Sequence, residues 1–155
     1  MKRKGFQAIN EGPVRFGYRI SVLKNWFGGP GYRELERTSQ IDETESSVIF
    51  FLGRKDGSRA QDIADTVGRP KNSISRSVNT LVKKKLLRRV LDENDNRQRH
   101  LYLTEKGWKE YDCMVALFLR REEKLISSLS EPEKAFLDAV LSKLVLNLAT
   151  WTRSY

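Results

Sequence analysis

From Arg69 to Val90 the chain carries no acidic residue, while Lys71, Asn72, Ser73, Ser75, Arg76, Asn79 and Lys83 gather on one side of a helical period. A plain solvated face usually mixes both signs, since like charges a turn apart cost about a few tenths of a kcal/mol each. Amide, hydroxyl and guanidinium groups at a helix start can pair with base edges in a major groove, and lysines with phosphate. The chemistry offered is therefore recognition of double-stranded DNA. A second group lies downstream, where Asp95 stands two residues before Arg97 and Arg99 follows. An arginine near the tip of an Asn- and Asp-rich turn suits a narrow, electronegative minor groove. Asp95 is spaced to orient the Arg97 guanidinium through a bidentate pair.

These side chains need a frame. Ile74, Val78 and Leu81 fall at i, i+4 and i+7 and predict a helix after Pro70 that turns its polar side outward. Before it, Ser58 with Gln61 in capping-box spacing predicts a short helix. Its inward stripe is Ile63, Ala64 and Val67, and Gly68 supplies the left-handed residue that ends it. Asp42 with Glu45 predicts another capping box, opening a helix that buries Val48, Ile49, Phe51 and Leu52 and stops between Gly53 and Gly57. Leu87–Leu91 and Arg99–Leu103 read as two strands of a hairpin. The unit from 41 to 104 is thus a helix-turn-helix followed by a hairpin.

The flanks read as helices. Residues 1–13 are expected to form a flexible basic arm. Phe16, Ile20, Leu23 and Phe27 favour a helix over a strand from Val14 to Phe27, which Gly28-Gly29-Pro30-Gly31 is expected to stop. Residues 32–40 then read as a connector, so 14–40 is an N-terminal helix plus linker. Thr104 is expected to cap a long helix with Trp108, Tyr111, Val115, Phe118, Leu125 and Ile126 on its apolar side. Ser130-Glu131-Pro132-Glu133 opens the last helix, whose Phe136, Leu137, Val140, Leu141, Leu144 and Leu148 make a broad apolar face. Such a face left open would be a large sticky patch, so residues 105–155 are expected to supply a subunit interface.

Composition agrees with this reading. The 155 residues are 39% hydrophobic and carry a formal charge of +9, enough for a core and biased toward a polyanionic partner. One cysteine and one histidine exclude a disulfide framework and leave metal chemistry almost without ligands. No cofactor and no membrane association are expected, and cytoplasm is the expected compartment. Cys113 reads as a small buried hydrophobe rather than a redox sensor. His100 reads as a surface or phosphate contact, because no Ser, Cys or acid is spaced to make a catalytic dyad with it. Enzymatic activity therefore has no supporting constellation. Trp26, Trp108 and Tyr111 are candidates for a pocket taking an aromatic effector, with core packing as the competing explanation.

The run Asp95-x-Arg97-x-x-x-Leu101-x-Leu103-Thr104-x-x-Gly107 resembles the wing signature of the MarR family of bacterial transcriptional regulators. Ser73–Leu81, Ile63-Ala64 and Leu129-Ser130-x-x-Glu133 resemble the same family, over roughly 41–149. The resemblance implies a mainly α fold with a small β-hairpin wing, flanked by N- and C-terminal dimerisation helices. It also implies a homodimer on a pseudo-palindromic operator, commonly a repressor released by a small aromatic molecule. Each recognition helix would enter a major groove and each wing a minor groove. The family usually has glycine after the recognition helix, where Lys83-Lys84-Lys85 stands here. A left-handed Lys85 would cost about 1–2 kcal/mol; otherwise the helix ends differently and the wing shifts. The competing readings are an architectural DNA-binding protein and a winged-helix module that contacts an acidic protein.

Overall fold

A computed structural model describes residues 6–92, 95 and 98–150. The chain divides into one compact unit up to Leu119 and a second from Arg120 onward. The described helices are α1 (Arg15–Ser39), α2 (Glu43–Leu52), α3 (Ala60–Val67), α4 (Lys71–Lys83), α5 (Glu105–Ile126) and α6 (Glu131–Asn147). Strands β1 (Leu87–Leu91) and β2 (Arg99–Leu103) form an antiparallel hairpin between α4 and α5. The fold is mainly helical with a two-stranded wing, as expected.

The core of the first unit is where the apolar periods converge. Val48, Ile49 and Leu52 of α2 meet Ile63 and Ala64 of α3, Ile74, Val78 and Leu81 of α4, and Leu101 and Leu103 of β2. Every one of these is less than 5% exposed, so α4 is held from behind by close-packed side chains. Phe51 is only partly buried. From α5 the buried side chains are Met114, Leu117 and Phe118, with Tyr111 packed beside them. Trp108 and Leu125, assigned to that face by period, are exposed.

The cap expected at Asp42 is present. Its Oδ1 accepts from the amides of Thr44 and Glu45 at 2.7 and 2.8 Å, and the Glu45 carboxylate accepts from the Asp42 amide at 3.0 Å. The box expected at Ser58 and Gln61 is displaced by one residue. Arg59 is the N-cap of α3, and Asp62 accepts from its amide at 3.2 Å and from its guanidinium at 2.8 and 3.0 Å. Ser58 is drawn away because its backbone bridges to Leu101 of β2. Gln61 donates to Asp65 instead. Gly68 is left-handed at φ 70°, as expected.

The largest correction concerns α1. Gly28-Gly29-Pro30-Gly31 does not stop the helix, and residues 32–39 are not a connector; α1 runs unbroken for 25 residues. Three glycines and a proline in a helix interior cost roughly 6 kcal/mol in propensity. Packing against the rest of the unit opposes this. Gly28 and Gly31 are buried, and the rings of Phe27 and Tyr32 sit 5.7 and 5.2 Å from that of Phe118. A Cβ on Gly28 would lie 2.7 Å from the Tyr32 ring, so the glycine is what lets the ring fold over the helix. Of the basic arm, residues 6–13 are described; residues 6–8 are helical, and the ring of Phe6 lies 6.1 Å from that of Trp26.

The last helix opens as its sequence requires. The backbone amide and the hydroxyl of Ser130 both donate to Glu133 at 2.8 Å, which holds that carboxyl below its usual range. No residue of α6 is buried. Among the described residues no helix is long and apolar enough to cross a membrane.

Candidate nucleic-acid interface

Helix α4 begins directly after Pro70, whose fixed φ suits a helix entry and which brings no side-chain cap. No acidic residue lies in the first turn. Its leading amides and the positive end of its dipole are thus offered to an anion. Lys71, Asn72, Arg76, Asn79 and Lys83 are exposed, whereas Ser73 and Ser75 are half-buried at the margin of the same face. Ser77 joins Ile74, Val78 and Leu81 on the buried side. The period read from sequence therefore separates these residues correctly.

The entry to α4 is fixed by charge. Arg69 donates to Glu43 at 2.7 Å and to the Thr44 hydroxyl at 3.3 Å, and Glu43 also pairs with Lys24 of α1 at 3.0 Å. Tyr32 lies in this neighbourhood, and its pKa is raised, first by burial and then by the negative charge of Glu43. The exit is fixed by Lys84. Its ammonium reaches both oxygens of the buried Glu45 at 2.7 and 3.0 Å, and it also donates to the carbonyl of Gln40. Of the three lysines, Lys84 is thus engaged within the fold rather than left for phosphate. Lys85 is left-handed at φ 60°, so the helix ends where the family's glycine would end it and the wing keeps its place.

In the wing, Leu87 pairs with Leu103 and Leu91 with Arg99. Arg99 is exposed at the far end of β2. Two further arginines of β1 passed unnoticed in sequence. Arg89 donates to the side-chain oxygen of Asn79, tying wing to recognition helix, and Arg88 lies 4.6 Å above the ring of Tyr102. Period two in Leu87–Leu91 could have placed Arg89 on the Leu87 side, but its partner lies in another element. Arg97, and with it the expected Asp95–Arg97 pair, lies outside the described residues. Asp95 accepts from the Gln98 side chain at 2.9 Å, and Gln98 accepts from Arg59 at 2.7 Å. Arg59 thus joins the start of α3 to the turn of the wing. Asp62, which pairs with it, has its pKa lowered, first by the hydrogen bond from the Arg59 side chain.

Two aromatic candidates for an effector pocket come together: Trp108 and Tyr111 meet edge to face at 5.5 Å. Trp26 is 65% exposed and has its ring against Phe6. A cavity of about 290 Å³ opens nearby, lined by Ser47, Phe50, Phe51, Arg54 and Val67. Phe50 meets Tyr111 edge-on at 6.2 Å and carries the Arg54 guanidinium 5.6 Å from its centroid. None of these lining residues is marked by sequence alone, because the spacing Ser47, Phe50, Phe51, Arg54 is that of any amphipathic helix face. Cys113 is exposed, not buried, since it falls on the outer side of α5. Among the described residues no cluster of three or more His, Cys, Asp and Glu could hold a metal ion.

Comparison with known proteins decides what this arrangement is. Residues 39–98 match the MarR family. Over 96 residues the chain is 33% identical to the HTH-type transcriptional regulator BilQ of Clostridium symbiosum, spanning 62% of this chain and 67% of that one. The chain belongs to the MarR family. As a MarR-family protein it is a DNA-binding transcriptional regulator, not an enzyme. A MarR transcriptional regulator from Methanosarcina mazei shares the fold at TM-score 0.78 and 23% identity, over 88% of this chain and 91% of that one. MepR of Staphylococcus aureus, solved as a DNA complex, gives 0.73 and 25%, over 89% and 99%.

Proposed function

We propose that this MarR-family regulator is a cytoplasmic, sequence-specific repressor that binds a pseudo-palindromic operator as a homodimer. The observation that carries the reading is the acid-free face of α4, with Lys71, Asn72, Arg76, Asn79 and Lys83 exposed above a buried row of Ile74, Val78 and Leu81. Asn72, Ser73, Ser75 and Arg76 meet bases or adjacent phosphates in the major groove, and Lys83 and Arg99 meet phosphate. Arg97, steered by Asp95, enters the minor groove. The homodimer forms through the first and last helices, which is supported by their exposed apolar side chains, among them Phe16 and Ile20 of α1 and Phe136 and Val145 of α6. A small aromatic effector releases the DNA. The shallow, open hollow lined by Phe50 and Arg54, whose Phe50 ring meets Tyr111 edge-on, supports an effector that joins an aromatic ring to an acidic group.

The test is binding to duplex from upstream of the protein's own gene against random duplex, at several salt concentrations. Preference for the former by roughly 10³-fold or more is expected, with a steep loss as salt rises. Equal affinity for both would make the protein architectural. Binding to neither would favour a module for protein contact.

A further inference from the structure

His100 is the chain's only histidine, and it lies on the face of β2 opposite Leu101 and Leu103. Each of its ring nitrogens meets an oxygen: Nδ1 is 2.6 Å from the carbonyl of Gly57, and Nε2 is 2.7 Å from the carboxylate of Asp92. A carbonyl and an ionised carboxylate only accept hydrogen bonds, whereas a neutral imidazole has one N–H and one bare nitrogen. In either neutral tautomer one contact would set lone pair against lone pair. The trio needs one more proton than a neutral ring and a carboxylate hold between them, and the imidazolium supplies it.

The three segments joined are those that place the wing. Gly57 belongs to the turn between α2 and α3, where its amide donates to the carbonyl of Leu101 at 2.9 Å. Asp92 follows β1, and its Oδ1 accepts from the amide of Asp95 at 3.1 Å. Among the described residues, the charged groups acting on the ring are Asp92, which favours its protonation, and Arg59 at the start of α3, which opposes it. The balance raises the pKa of His100. The largest cause is the hydrogen bond to Asp92, then that to the Gly57 carbonyl, with partial desolvation acting against both.

We propose that His100 is a positioning residue for DNA binding, which in its doubly protonated form ties Asp92, where the wing turn begins, to the Gly57 carbonyl of the α2–α3 turn, and which on losing a proton gives up the Asp92 contact and loosens the wing turn, so that DNA affinity falls as pH rises. This rests on the reading above that the wing touches DNA. A folded pKa above the unfolded one fixes the sign. The clasp contributes fully below the unfolded value of about 6.5 and is lost as pH climbs through the raised folded value.

Because the histidine is single, its ring resonances in the full-length protein report the protonation directly by NMR. Their midpoint is expected above 6.5, with the Gly57 amide shifting at the same midpoint. Affinity for the upstream duplex, at constant ionic strength between pH 6 and 9, should weaken over that same window by roughly fivefold or more. His100→Gln should flatten the profile. Asp92→Asn supplies a donor to a neutral ring and should keep affinity high at pH 8.5 while lowering the midpoint. A midpoint at or below 6.5, or a profile that His100→Gln leaves unchanged, overturns the proposal. Failure to bind DNA at any pH would overturn both this and the operator reading. Binding without dependence on His100 would remove only the clasp.

Discussion

Gly107, packed against the Leu86 carbonyl, and Lys85, one residue before it, illustrate two different demands on a residue. The Leu86 oxygen accepts from the amide of Thr104 at 3.0 Å, and a Cβ on Gly107 would sit 2.1 Å from it. The neighbour is backbone, at the start of β1, and cannot swing aside. Gly107→Ala is therefore expected to destabilise the fold by about 2–4 kcal/mol, at the upper end for overpacking. In thermal denaturation followed by circular dichroism this should lower the midpoint by roughly 4–16 °C. A shift under 2 °C would mean that α5 moves freely from the wing. Lys85 has the opposite problem, a side chain where the backbone is left-handed. Lys85→Gly removes a strain of about 1–2 kcal/mol but adds unfolded-state entropy of about half to one, so a gain near 0.5–1 kcal/mol is expected. Urea denaturation would show it as a higher midpoint with unchanged slope. A lower midpoint would mean that the lysine side chain itself stabilises the turn.

At the scale of elements, the lysine that follows α4 should matter more than those on its DNA face. Glu45 is 3% exposed and closes the α2 cap while pairing with Lys84. Lys84→Ala leaves that carboxylate buried without its cation and should cost about 1–3 kcal/mol, part of the full penalty because Lys84 is itself about a quarter exposed. Arg76→Ala, on the open face, is expected to leave the thermal midpoint within about 1 °C while weakening DNA binding, as is Arg97→Ala in the wing. If Arg97→Ala instead lowered the melting temperature markedly, Arg97 would be a structural residue. The elements that sequence makes legible are those set by local signals: α4 and β2 by the period of their buried residues, and the caps at Asp42 and Ser130 by their spacing. What escapes it is set by distant contact. The Gly28–Gly31 segment reads as a breaker until Phe118 of another helix is placed against its neighbours. Ser58 reads as a cap until Leu101 claims its backbone, and His100 reads as a surface residue until Gly57, 43 positions away, meets its ring.

For the whole molecule, the decisive quantity is how many phosphates one binding event neutralises. The net charge of +9 belongs to a single chain, and a dimer engaging two half-sites would double the contacts each chain makes. Since log affinity falls with log salt at about 0.9 per phosphate, the slope for a dimer should be near twice that of a monomer. The apolar faces of α1 and α6 make this testable. Phe136 is 73% and Leu146 76% exposed in a helix with no buried residue, an apolar face that the proposed dimer would cover. Truncation before Ser130 removes that helix and leaves the recognition helix and wing with all their core contacts from the first unit. Sedimentation equilibrium should find the full chain as a dimer and the truncated one as a monomer or as aggregate. Where the truncated chain stays soluble, its salt slope on the upstream duplex should drop to about half, with affinity falling toward that for random DNA. A truncated chain that remains a soluble dimer, with an undiminished slope, would place the interface elsewhere.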